Sequence, residues 1–223
     1  MLGIQILICL VCSVVGYLFG SISSGIILSQ KIYKKDIREL GSKNSGATNM
    51  GRIFGLKVGF IVIILDMLKT AIPIWICYFI LKFTALSNYN LDKIGFLITG
   101  LSALIGHCYP IYHKFKGGKA VSSFAGIVAS TCWLLIPIGL ISYLVLLKLQ
   151  KKVSLTSIIV SLFISTLSIG LIYLPNYFMN FKIQATIYYT LTLFICSFIL
   201  IFRHKENIKR IIKGQESKIK WMK

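Results

Sequence analysis

Six apolar runs, each about twenty residues or longer, dominate the chain; they begin near Ile4, Ile53, Gly95, Ala120, Val153 and Gln184. A run of that length crosses the roughly 30 Å hydrocarbon core as a helix, and lipid offers no partner to an unpaired backbone group. The chain is therefore expected to be all-α, a polytopic integral membrane protein. Only 14% of the 223 residues are charged, against roughly 25% in soluble domains. No repeat, linker or low-complexity tract interrupts it, so residues 1–223 read as a single membrane domain with a basic interfacial segment at 203–223. The first run lacks a basic leader and a small-residue cleavage site and reads as a retained helix rather than a signal peptide.

The number of spans turns on residues 120–147. As one tilted helix they bring the total to six; as a hairpin turning near Thr131 and Cys132 they bring it to seven. Basic clusters flank the segment on both sides, HKFKGGK (113–119) and KLQKK (148–152), and the positive-inside rule wants both in the cytoplasm. Only the hairpin satisfies both. The predicted helices run roughly 4–28, 54–81, 94–111, 119–130, 132–148, 154–174 and 184–202, with the N-terminus outside and the C-terminus cytoplasmic. Of 25 cations, seven (Lys31–Lys57), three (Lys114–Lys119), three (Lys148–Lys152) and eight (Arg203–Lys223) then face the cytoplasm; Lys82, Lys93 and Lys182 lie outside, and Lys69 within a helix.

The net charge of +19 does not indicate nucleic acid, because the cations sit in short segments between apolar runs, where anionic lipid or a phosphorylated substrate is the nearer partner. The same topology collects three polar segments on the cytoplasmic side: DIRELGSKNSGATNMGR (36–52), GHCYPIYHKFKGGKAVSS (106–123) and RHKENIKRIIKGQES (203–217). In the first, Gly41, Gly46 and Gly51 allow backbone N–H groups to converge, Ser42, Ser45 and Thr48 add hydroxyls, and Arg52 is expected to open the second helix, whose N-terminus favours an anion. The same composition suits an ordinary Gly/Asn/Ser turn, and no nucleotide P-loop spacing is present. Gly117 and Gly118, between Lys116 and Lys119, form a second phosphate nest by composition; a purely topological basic loop accounts for the lysines but not for the glycines. Arg203, His204 and Asn207 follow the last run, and beyond Lys205 the tail reads as an amphipathic basic helix on the membrane. Asp66 and Lys69, at i and i+3 within the second run, are either functional or a self-satisfied pair.

Acids are scarce. Asp36, Glu39, Asp66, Asp92, Glu206 and Glu216 are the complete set, and no two form a carboxylate metal cage or a glycosidase pair. The six cysteines include no C-x-x-C pair and read as small hydrophobes. Metal-free, cofactor-free phosphate chemistry is expected. A membrane enzyme acting on phosphorylated, partly lipophilic substrates fits better than a transporter or flippase of an organic phosphate, which calls for midplane polar groups and often an inverted repeat.

GSISSGIILSQ (20–30), DIRELGSKNSGATNMGRIFGLKVG (36–59), DMLKT (66–70), GHCYPIYHKFKGGKAV (106–121), VSLTSI (153–158) and RHKENIKRIIKGQE (203–216) resemble, in order and spacing, the bacterial PlsY family of acyl-phosphate:glycerol-3-phosphate acyltransferases. The resemblance implies seven spans and transfer of a long-chain acyl group from acyl phosphate to the 1-hydroxyl of sn-glycerol 3-phosphate. The products are lysophosphatidic acid and inorganic phosphate, in the first step of membrane phospholipid synthesis at the cytoplasmic face of the bacterial plasma membrane. It also implies coupling to the enzyme that supplies acyl phosphate. By motif match, Ser42, Arg52, one or both of Lys116 and Lys119, His204 and Asn207, with Ser154 as a further candidate, bind glycerol 3-phosphate and position its hydroxyl. Gly41, Gly46, Gly117 and Gly118, with Asn44, Thr48 and Asn49, hold the acyl-phosphate head. The general base is either His204 or a substrate phosphate oxygen. The H-x-x-x-x-D motif of acyl-CoA-dependent enzymes is absent: the fifth residues after the three histidines are Tyr112, Gly118 and Lys209. The chain departs from the family pattern at Ser23 (proline in GSIP), Lys43 (glycine in GSGN), Thr70 (glycine in DxxKG) and Ala120 (glycine in GGKG).

Overall fold

The computed structural model describes residues 2–89, 91, 94–174, 178–180 and 186–219, and among them every regular element is helical. Lys93, Lys182 and the start of the last run at Gln184, on which part of the topology rests, lie outside the described residues, as does Asp92. The helices are α1 (Leu2–Gly20), α2 (Ser24–Lys31), α3 (Ala47–Phe54), α4 (Leu56–Phe83), α5 (Gly95–Cys108), α6 (Val121–Thr131), α7 (Leu135–Gln150), α8 (Val153–Leu171), α9 (Ile187–Arg203) and α10 (Lys205–Ile212).

Among the described residues four stretches are long and apolar enough to cross a membrane: Leu2–Lys31, Leu56–Phe83, Gly95–His113 and Val153–Leu171. Helices α9 and α10, bent by 62°, make a fifth if taken as one span. The break between α6 and α7 falls at 132–134, where the hairpin was expected to turn. Those two helices have 11 and 16 residues, about 16 and 24 Å at 1.5 Å per residue, each short of a full hydrocarbon core. Two expected boundaries are corrected. The first helix is interrupted at 21–23, and the second begins only at Leu56, because Gly55 (φ 97) breaks the chain after a separate short helix, α3.

The chain divides into two compact units, Met1–Ser130 and Thr131–Lys223. Within the first, α1 packs most extensively against α5. Gly16 and Gly20 form a G-x-x-x-G pair, and a Cβ at either would run into the α5 backbone at Thr99 or Ala103; a Cβ at Gly106 would meet the Tyr17 carbonyl. Between helices in lipid no hydrophobic force operates, so small residues that let backbones approach decide the pairing. Ser13 and Ser102 hydroxyls meet there at 2.9 Å, and the Tyr17 hydroxyl donates to the Tyr109 carbonyl at 2.8 Å. Gly59 of α4 lies against Gly51 of α3, so Gly51, expected in an anion-binding loop, instead serves helix packing. In the second unit α8 packs on α7 and α9, with Ser165–Ser197 at 2.9 Å and Ser168–Thr190 at 3.2 Å bridging α8 to α9.

Candidate functional site

In the first unit the polar loop begins with an anchored cap. Asp36 accepts the Arg38 backbone N–H at 2.9 Å, capping the short 3-10 turn Ile37–Glu39, and holds the Arg38 guanidinium at 2.6–3.1 Å. Those bonds from Arg38 lower the Asp36 carboxyl to about 2, so the cap is present above the ordinary carboxylate pKa and is lost only as pH falls toward 2.

The loop is organised around Asn49, which is 2% exposed. Its Nδ2 donates to the carbonyls of Leu40 and Asn44, both at 2.9 Å, and of Ile37 at 3.3 Å, while its Oδ1 accepts the Ser42 N–H at 2.9 Å. Gly41 (φ 56) lies so close to that Oδ1 that a Cβ would collide with it. Asn49 was expected to hold a substrate head; its carboxamide is instead committed to the loop backbone. Asn44 takes the Gly46 N–H on Oδ1 at 2.9 Å and extends Nδ2 to the Gly117 carbonyl at 3.4 Å, tying the two glycine-rich segments together. Gly46 is the N-cap of α3, Thr48 stands in its first turn, and Ser42 and Thr48 are exposed.

Arg52 does not open a helix. It lies exposed in the last turn of α3, the negative end of that helix dipole, so any anion it takes is held by the guanidinium itself. Lys43, where the resemblance implies a glycine, is exposed in the left-handed region (φ 56), and Ala120, where it implies another, is buried there at φ 68. Left-handed backbone costs a side chain about 1–2 kcal/mol, offset in part by the greater unfolded entropy of glycine. Lys43→Gly is therefore expected to raise stability by up to about 1 kcal/mol, read as a higher Tm in detergent, with activity retained.

The second segment leaves α5 through two consecutive left-handed residues, Lys114 (φ 55) and Phe115 (φ 58), which swing Lys116 out as an exposed side chain. Gly117 and Gly118 then fold back on the end of α5. The Gly118 N–H donates to the His107 carbonyl at 3.0 Å; a Cβ at Gly118 would enter the His107 imidazole, and one at Gly117 would meet the His107 carbonyl and Pro110. Close packing thus demands both glycines, a reason composition did not supply. Lys119 follows, half-buried, one residue before Ala120.

In the second unit His204 joins α9 to α10, buried, its Nδ1 at 2.8 Å from the Leu200 carbonyl. A neutral ring donating from Nδ1 carries its basic lone pair on Nε2. Ser154, in the first turn of α8, donates to Glu216 Oε1 at 2.6 Å, Asn207 donates to the same oxygen at 2.7 Å, and Arg210 pairs with Oε2 at 2.8 Å. The tail is therefore not one interfacial helix: α10 ends at Ile212, the chain turns at Gly214 (φ 70), and the Ile219 N–H returns to the Lys151 carbonyl at 2.8 Å.

Sequence reasoning missed Glu216. The available signal was one of only two acids in a basic tail, two residues after a glycine. Burial raises its pKa, but the bonds from Ser154, Asn207 and Arg210 outweigh that and leave it below the usual value. The tether is thus present at neutral pH and is lost as pH falls through the depressed pKa. Glu216→Gln is expected to abolish that acid-side transition in a Tm-against-pH profile and to loosen residues 213–219 in hydrogen exchange.

The model of the family described as glycerol-3-phosphate acyltransferase matches residues 10–214. The chain belongs to the glycerol-3-phosphate acyltransferase family. Within that family it is 41% identical over 210 residues to the glycerol-3-phosphate acyltransferase of Listeria monocytogenes, covering 94% of this chain and 96% of that protein. It is 39% identical over 210 residues to that of Staphylococcus aureus, covering 92% and 95%. Among solved structures, PlsY (YgiH), an integral membrane glycerol 3-phosphate acyltransferase, superposes in its glycerol 3-phosphate form with a TM-score of 0.80 at 28% identity over 95% of this chain and 96% of that one. Its lysophosphatidic acid form gives 0.78 at 27% identity over 95% of each. The family match takes in each of the assigned residues from Gly41 to Asn207.

Proposed function

We propose that this glycerol-3-phosphate acyltransferase takes its acyl group from a long-chain acyl phosphate and delivers it to the 1-hydroxyl of sn-glycerol 3-phosphate, releasing lysophosphatidic acid and inorganic phosphate. The observation that carries this reading is the likeness to a structure with glycerol 3-phosphate and lysophosphatidic acid forms, an acceptor and its 1-acyl product. The absent H-x-x-x-x-D motif argues against acyl-CoA as donor. Acyl phosphate is a mixed anhydride with a good leaving group, so orientation and charge stabilisation suffice and no acyl-enzyme is needed. The hydroxyl oxygen attacks the acyl carbonyl carbon, the bond to the phosphate oxygen breaks, and phosphate departs.

In this reading Arg52, Lys116 and Lys119, with the Ser42 hydroxyl, neutralise and orient substrate phosphate. Gly41, Asn44, Gly46, Thr48, Asn49, Gly117 and Gly118 shape the backbone that receives it. His204 and Asn207, with Ser154, position the acceptor hydroxyl, and Nε2 of His204 is the side-chain atom suited to take its proton. The positive-inside count supports seven spans with an external N-terminus, which puts these polar segments at the cytoplasmic face of the bacterial plasma membrane, where a partner enzyme supplies acyl phosphate. Purified protein in lipid, given glycerol 3-phosphate and palmitoyl phosphate, is expected to release phosphate and form lysophosphatidic acid, with palmitoyl-CoA inert. Product from palmitoyl-CoA alone would overturn the choice of donor.

A further inference from the structure

Asp66 and Lys69 are 2% and 7% exposed on α4, within a stretch apolar enough to cross a membrane, where charge is expensive unless it does something. Lys69 Nζ lies 2.9 Å from Asp66 Oδ1 and donates to the Ile22 carbonyl at 2.6 Å. That carbonyl belongs to the 21–23 break between α1 and α2, from which the Ser21 hydroxyl also accepts the Ile111 N–H at 3.4 Å. Asp66 Oδ2 faces His107 Nδ1 at 3.8 Å. The His107 backbone carbonyl receives the Gly118 N–H, its ring fills the space a Gly118 Cβ would need, and the Gly117 carbonyl receives Asn44. One continuous set of contacts thus runs from a buried ion pair, through the end of α5, to the Gly117–Gly118 turn and on to the 41–49 loop.

We propose that Asp66, Lys69 and His107 are positioning residues that set the Gly117–Gly118 turn and its flanking Lys116 and Lys119 for a substrate phosphate, acting through the His107 ring and carbonyl rather than by touching the ligand. This rests on the functional reading above for the identity of the ligand, but not for the mechanics. The physical case is that an ion pair alone would be a poor reason to bury two charges, since apolar residues of similar volume often fill such sites with equal or greater stability. What apolar residues cannot do is donate a hydrogen bond to the Ile22 carbonyl and set a carboxylate beside the His107 imidazole. The arrangement over-determines a turn that has no regular hydrogen-bond ladder of its own.

The test uses the full chain in detergent. Asp66→Leu/Lys69→Met removes both charges together, and Asp66→Asn keeps the shape while removing one charge. Hydrogen exchange of residues 114–120 is expected to quicken about tenfold in the double variant and severalfold in Asp66→Asn, with α8 of the second unit unchanged as a folding control. Should the double variant also lose α8 protection, Asp66→Asn decides. Unchanged exchange at 114–120 in a folded variant overturns the proposal. In steady-state kinetics the KM for glycerol 3-phosphate is expected to rise about tenfold with kcat within threefold; a fall in kcat alone also overturns it. If exchange quickens as expected while the unmodified protein shows no affinity for glycerol 3-phosphate in calorimetry, the network stands as the support of the turn and the assigned ligand is what fails.

Discussion

Arg52→Ala is expected to lower kcat/KM for glycerol 3-phosphate by roughly a hundredfold to a thousandfold while leaving Tm within about 2 °C. The two halves of that expectation have separate grounds. Arg52 is exposed in the last turn of the eight-residue helix α3, and surface substitutions away from special features change stability by about 0.5 kcal/mol or less. A guanidinium on a phosphate makes paired, charge-assisted hydrogen bonds, and removing a group that stabilises developing charge costs about 2.7–4 kcal/mol of barrier, which is a factor of roughly 10² to 10³. Because Arg52 lies at the negative end of its helix, the dipole gives no help that could survive the substitution. Arg52→Lys should recover only part of the loss, since an ammonium keeps the charge without the planar fork. Full activity in Arg52→Ala would remove the residue from the site.

Asn49→Ala is expected to fail in the opposite pattern, losing loop structure first and activity as a consequence. The carboxamide satisfies carbonyls at Leu40, Asn44 and Ile37 and the Ser42 N–H, and each buried backbone group left without a partner costs about 1–3 kcal/mol. Residues 40–49 are expected to lose hydrogen-exchange protection and Tm to drop by several degrees, a loss of about 2–4 kcal/mol overall. Asn49→Asp, isosteric but acceptor-only, should be as damaging, because it sets a carboxylate oxygen against the same carbonyls. An Asn49→Ala variant with normal exchange and a raised KM would return the residue to direct substrate contact.

Much of the fold was legible in the sequence, and the unread parts have identifiable causes. Apolar run length foretold helices throughout, and flanking charge foretold the break near Thr131 and Cys132. Gly55 and the 21–23 interruption were unread because a helix break in a greasy segment leaves hydropathy almost unchanged. The Gly16–Gly20 pair carries its meaning only when a partner backbone lies against it. In the candidate site the sequence marked which segments are polar but not the division of labour inside them. Asn49 and Ser42 carry equally polar side chains seven residues apart in one motif, yet Asn49 is buried as a brace and Ser42 stands exposed. Glu216 stayed hidden because its partner Ser154 lies 62 residues away along the chain.

By itself, then, the sequence determined that the chain is helical and membrane-embedded, and its motifs determined the family; both depend on residue type and local spacing. Tertiary structure decided what each polar residue does. It turned Gly51 from a loop element into a helix contact, gave Gly117 and Gly118 a steric reason in His107, and joined Asp66 and Lys69 to a turn distant from them in sequence. The physical reason is that a hydrogen bond or a close approach is a property of two groups in space, and the chain order of an all-helical membrane protein says little about which groups those will be.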